Sequence, residues 1–162
     1  MIDALASLQD QTFARATGAT AASFPLRHRL TAAQLAGYLD RRAFAVVATT
    51  RPDGRPHATV CSYVRRDAAF WLPTVAGAVR ERNVRHQSWV SLVVSQGDHG
   101  DQSQHVLVIV EGPGIVVPPA EVPPDVRARA DGDWVGSWIR VQAERVLSYA
   151  ANGALSAEGN NT

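Results

Sequence analysis

From Phe44 onward the apolar residues come in short runs broken by turn formers, the pattern of a meander of antiparallel strands. Phe44–Thr50 is continuous and β-branched. Arg51-Pro52-Asp53-Gly54-Arg55 follows, with Pro, Asp and Gly placed for a tight turn. His57–Val64 then alternates between two faces, His57, Thr59, Cys61 and Tyr63 against Ala58, Val60, Ser62 and Val64. Arg65-Arg66-Asp67 predicts a polar turn and Ala68–Pro73 a third strand. Trp89–Ser95 predicts a fourth, the polar Gln96–Gln104 an exposed loop, and His105–Val117 a fifth strand bent at Gly112-Pro113-Gly114. The prolines between Pro118 and Pro124 exclude regular structure there. A short helix near Asp125–Ala130 and a last strand over Trp138–Tyr149 complete the set.

Helical spacing appears in three places. Ile2, Leu5, Leu8 and Phe13 predict an amphipathic helix over Ile2–Arg15, with Thr17–Ser23 as a flexible connector behind it. Thr31 opens a Thr-Ala-Ala-Gln capping box, so a helix is predicted over Ala32–Arg41, with Leu35 and Leu39 toward the core and Tyr38 beside them. Gly77–His86 reads as a helix carrying Arg80, Arg82 and Arg85. Its opening, with Thr74, Ala76 and Gly77, is small enough for an anion to reach the free backbone N–H groups. The expected organisation is an N-terminal helix and flexible segment over 1–25, one barrel domain over 26–149, and a disordered tail over 150–162.

Composition narrows the chemistry. A 162-residue chain that is 46% hydrophobic suits one domain, and a net charge of +1 gives no field to recruit nucleic acid or an anionic membrane. The N-terminus reads as neither signal peptide nor membrane span, so a cytoplasmic protein is expected. All 16 basic residues are Arg. Lysine Schiff-base chemistry and the lysine of a phosphate-binding P-loop are therefore excluded, while the planar guanidinium still suits phosphate. Cys61 stands alone, without a disulfide partner or the cysteines of a zinc cluster, and reads as a small buried hydrophobe. His57 and His105 read as exposed strand or loop residues, and no metal site is expected.

The ordered set of apolar strand, R-P-D-G-R-P-H turn, second strand, F-W-L-P-T, A-V-R-E-R-N-V helix, W-V-S-L-V-V and V-I-V-E-G resembles the pyridoxamine 5'-phosphate oxidase-like family of flavin-binding split barrels. The likeness covers about Leu30 to Val117, with a weaker echo in Trp138–Tyr149. It implies a mainly β, six-stranded antiparallel split barrel with short helices. It also implies a homodimer with flavin mononucleotide (FMN) at the subunit interface and a small-molecule redox substrate.

Carried over by the resemblance, Ala58, Thr59, Val60, Cys61, Ser62 and Tyr63 pass the flavin ring. Thr74, Val79 and Arg80 hold its phosphate, followed by Arg82 and Asn83; Trp134 and Trp138 are either core aromatics, the role expected of one of them, or part of a segment that closes over the neighbouring cofactor. Arg55 or Arg82 is a second phosphate contact, and Arg140 a candidate for flavin or substrate. The cofactor performs the chemistry, so no residue is assigned as catalytic. The C-terminus lacks the Arg-x-His segment of true pyridoxamine phosphate oxidases and the phosphate loop lacks their Arg-Lys pair, which argues against vitamin B6 oxidation. Ala78 beside the single Arg80 favours FMN over coenzyme F-420, the deazaflavin alternative. A non-catalytic flavin- or haem-binding protein is the remaining reading.

Overall fold

A computed structural model of the chain describes residues 3–98, 100–130 and 132–153. The helices are α1 (Ala4–Ala14), α2 (Gly18–Ser23), α3 (Ala32–Arg41), α4 (Val79–His86) and α5 (Pro124–Arg127). The strands are β1 (Phe44–Thr50), β2 (Pro56–Ser62), β3 (Val64–Arg66), β4 (Ala69–Thr74), β5 (Trp89–Asp98), β6 (Asp101–Val117), β7 (Ser137–Gln142) and β8 (Arg145–Ala150). They join in one sheet of order β2-β1-β5-β6-β7-β4-β3, with β8 paired to β6 off that path. The fold is mainly β with short helices, as the sequence predicts, but among the described residues it has eight strands rather than six.

The differences have local causes. β2 ends at Ser62, and Val64 starts a new strand that pairs with Trp71 of β4 instead of β1. The polar turn expected over 65–67 shrinks accordingly. Asp67 takes it in the left-handed region at φ 54°, which Asp tolerates better than most residues. Arg65 and Arg66 lie on an edge strand, where charged side chains reach solvent. The last predicted strand is two, broken at Ala143-Glu144, where Ala143 N–H donates to Ala68 O and Glu144 N–H to Glu111 O, each at 2.9 Å. Thr17–Ser23 is helical instead of a connector, because the Thr17 hydroxyl caps Thr20 N–H. The polar loop over 96–104 is largely strand, and the proline stretch holds a 3₁₀ turn, Pro119–Glu121. Of the predicted tail, residues 154–162 lie outside the described set.

The chain divides into two compact units. One comprises Met1–Arg42, Val93–Val110 and Arg145–Thr162; the other comprises Ala43–Leu92 and Glu111–Glu144. In the first, Thr31 and Gln34 form the predicted capping box, and Leu35, Tyr38 and Leu39 are buried. Here α1 packs on β8 with Leu5, Gln9 and Thr12 buried. The two polar members of that face are satisfied. Gln9 Nε2 donates to Leu30 O at 2.9 Å, Ser148 Oγ donates to Gln9 Oε1 and accepts from Leu30 N–H, and Val146 N–H donates to Thr12 Oγ1 at 3.0 Å.

In the second unit β1 and β2 form a regular hairpin, Ala45 opposite Cys61 and Thr49 opposite His57. β4 pairs β3 on one side and β7 on the other, and all six of its residues are buried. One face carries Phe70 and Leu72. The other carries Ala69 and Trp71, which cluster with Val64, Val117, Val122, Val126 and Trp138. β6 runs unbroken through Gly112-Pro113-Gly114, and its glycines stand where neighbours come close, Gly112 against the backbone of β7 and Gly114 against the side chains of Val84, Val90 and Ile139. A Cβ on Gly112 would stand 1.8 Å from Gln142 O. Gly112→Ala must displace β7, so we expect a loss of about 3 kcal/mol or more, read as a lowered denaturant midpoint.

Candidate functional site

The site is built where β4 ends. Thr74 is wholly buried; its hydroxyl donates to Leu72 O at 3.1 Å and accepts from Arg80 Nε at 3.2 Å. Arg80 Nη2 donates to Pro73 O, also at 3.2 Å. The half-buried guanidinium is thus folded against the strand end by two of its five N–H groups, and three remain for another acceptor. A long side chain pinned in this way has already surrendered most of its rotamer freedom.

Between Thr74 and α4 the chain turns through Gly77 at φ 77°, a conformation glycine adopts without strain. The N-cap of α4 is Ala78, which offers no side-chain acceptor, so the first-turn N–H groups stay open and carry the positive end of the helix dipole. Glu81 braces the loop from below, accepting from Gly77 N–H at 2.9 Å and from Arg85 Nη2 at 3.1 Å. Burial pushes the Glu81 carboxyl up, but these donors and the Ser137 hydroxyl overcome it and hold the group below its ordinary value.

The inward face of β2 carries His57, Thr59 and Cys61. Cys61 Sγ lies 3.6 Å from Pro73 O, the carbonyl that Arg80 also engages, so this row and the arginine meet at one acceptor. Burial raises the thiol, with the Arg80 charge opposing, and leaves Cys61 a poor nucleophile. Two polar atoms of the row, His57 Nδ1 and Thr59 Oγ1, are buried with no hydrogen-bond partner. Unpaired buried polar atoms cost stability and are rare, so they mark a place where a partner arrives.

The structure thus brings Cys61, Thr74 and Arg80 together around the end of β4, with Thr59 on the same face of β2 as Cys61 and Val79 half-buried in the first turn of α4. Ala58, Val60 and Ser62 point to the other face of β2, as the period of two demands. Their backbone groups nevertheless face the open edge. Tyr63 N–H bonds Ala43 O and Arg51 N–H bonds Arg55 O, so the odd-numbered β2 residues exchange bonds with β1 and the even ones direct theirs away from it. Arg82 is exposed, and Arg55 is paired with Asp53 at 2.7 Å. Asn83 is buried and gives its amide to Thr49 Oγ1 at 3.0 Å, tying α4 to β1. Tyr63 packs on Phe70, and Trp138, 1% exposed, fills the cluster between β4 and α5, while Trp134 is exposed. These buried side chains serve the core of the unit.

Sequence reasoning placed His57 at the surface and assigned Glu81 nothing. The alternation that sets Cys61 inward sets His57 inward too, and Glu81 stands at the third helical position, where a carboxylate reaches back to free N–H groups.

The model of the family described as pyridoxamine 5'-phosphate oxidase matches residues 31–151. No curated protein matches the chain significantly. Among solved structures, a conserved hypothetical protein of Mycobacterium tuberculosis is 24% identical, with a TM-score of 0.67 over 79% of this chain and 89% of that one. HutZ, the heme storage protein of Vibrio cholerae, is 15% identical at 0.63 over 76% and 99%. An FAD-binding protein of Mesorhizobium loti is 20% identical at 0.58 over 74% and 92%.

The brace at Glu81 has a pH signature. Its stabilisation is complete above the ordinary carboxyl value of 4.5 and is lost as pH falls through the depressed folded value. Glu81→Gln should unfold more easily than the parent at neutral pH, with the gap closing in acid, as urea titrations at a series of pH values would measure.

Proposed function

Because the chain belongs to the pyridoxamine 5'-phosphate oxidase family, we propose that it binds FMN and acts as an oxidoreductase on a small-molecule substrate. The observation that supports this most directly is Arg80, held on Thr74 and Pro73 beside an uncapped helix start, next to a strand with two unpartnered buried polar atoms. The donor set fits the group. A phosphate dianion needs charge-assisted donors, which Arg80 and the first-turn N–H groups of α4 supply. A ribityl chain needs a polar partner, which the Thr59 hydroxyl supplies. A flavin ring needs backbone N–H groups along one edge, which the even-numbered residues of β2 present.

When bound, the flavin supplies hydride or electron transfer. The chain's own residues bind and orient it. Arg80 neutralises phosphate charge, Thr74 fixes the guanidinium, Glu81 shapes the loop, and the β2 edge sets the ring's position. Cys61, protonated and buried, packs behind them without chemistry of its own.

The outward face of the hairpin supports a homodimer. Phe44, Val46 and Val60 are 63%, 43% and 68% exposed, and Val46 stands directly opposite Val60. A contiguous apolar sheet face of this kind favours a second copy covering it. That pairing would also shelter the open edge of β2.

Purified protein should take up FMN with the shifted visible spectrum of a bound flavin. Reduction by a nicotinamide donor followed by reoxidation by substrate would separate an oxidoreductase from a carrier. Arg80→Ala should weaken FMN binding by about 1.5–3 kcal/mol while leaving riboflavin, which lacks the phosphate, little changed. Equal losses for both ligands would remove Arg80 from the phosphate. Val60→Asp should convert the dimer to a folded monomer in sedimentation velocity; an unchanged sedimentation coefficient would place the interface elsewhere.

A further inference from the structure

We propose that His57 is the proton-linked member of the phosphate pocket: the inward imidazole, its buried Nδ1 without a partner, binds with Arg80 to the phosphate-bearing end of the ligand and gains a proton as the phosphate arrives. The inference rests on the flavin reading and extends it to a residue that reading does not need. Three observations place His57 there. It stands on the β2 face that meets Arg80 at the Pro73 carbonyl. Its cross-strand neighbour, Thr49, is bonded to Asn83 of α4, so the histidine's end of the hairpin is fastened to the helix whose first turn holds the open N–H groups. Its unsatisfied nitrogen is buried, and an imidazole in that state gains most from a ligand able to accept or donate a hydrogen bond.

The charges around the ring all have one sign. Arg51 of the β1–β2 turn and Arg80 of α4 are the charged groups acting on it, and Cys61 shares its face as a neutral thiol. The carboxylates of the same elements are spent, Asp53 on Arg55 and Glu81 on Arg85. Burial first, then these two arginines, hold His57 below its ordinary value of 6.5, so the empty pocket has a neutral imidazole at neutral pH. A dianion placed among these groups reverses the field. The balance is one phosphate dianion bound and one proton taken from solvent onto the imidazole, with no bond broken elsewhere. Affinity for the phosphate ligand then tightens as pH falls through neutrality toward 6.5, by at most about tenfold per pH unit for one proton fully coupled. The window stays above the phosphate's own second pKa of about 6.

The test uses the whole chain and two probes that differ only in the phosphate, FMN and riboflavin. Calorimetric titration in two buffers of different ionisation enthalpy should show net proton uptake with FMN and none with riboflavin. His57→Asn should abolish the uptake and flatten the pH dependence while still binding FMN. FMN binding without proton uptake by the parent, or the same pH slope in parent and variant, overturns the role of His57 and leaves the flavin reading standing. No binding of either probe by the parent at any pH overturns both. The parent's calorimetry needs no substitution, so a variant that fails to fold does not remove the test.

Discussion

Strand β4 has to be covered on both faces, and the second unit is arranged to do so. Phe70 and Leu72 face one way, while Trp71 and Ala69 face a separate cluster closed by Val122, Val126 and Trp138. A strand with two buried faces and paired neighbours on both edges has almost no freedom to shift, since a slip of one residue would exchange its two apolar sets. Its end is therefore a fixed point. Thr74 inherits that rigidity, and through Thr74 and the Pro73 carbonyl so does the Arg80 guanidinium. The site's positive charge is positioned by packing several residues away from it, which is how preorganisation is achieved without a rigid side chain.

Much of this was legible in the chain because the relevant signals are local. The capping box at Thr31 fixed the start of α3, Arg51 to Arg55 fixed the hairpin turn, and Thr74 and Arg80 could be named because the arginine lies in the first turn of a helix that follows a strand. What escaped is set by partners distant in sequence. Whether Val64 continues β2 or starts a new strand is decided by Trp71, and the break after Gln142 by Ala68 and Glu111. Asn83 reads like a ligand contact beside Arg82, yet Thr49 claims its amide. Of Trp134 and Trp138, one of which was expected in the core, it is Trp138 that the proline stretch and α5 enclose.

His57 illustrates the same limit from the other side. A histidine at the start of an alternating strand carries no mark of whether its ring is wet or dry. The answer depends on α4, which crosses near that end of the hairpin and brings Arg80 with it. Only with the helix in place does the half-exposed imidazole hold a buried Nδ1 among cations.

The helix that precedes the matched family region has a consequence of its own. Gln9 and Thr12 satisfy the Leu30 carbonyl, the Ser148 hydroxyl and the Val146 amide, all of which lie inside the first unit. Trimming the chain to residue 31 would remove Gln9 and Thr12 along with Leu30, take these partners from the Ser148 hydroxyl and the Val146 amide, and open to water the side of β8 that α1 covers. The N-terminal segment is thus part of the packing of that sheet, and the first unit extends beyond the region the chain shares with its family.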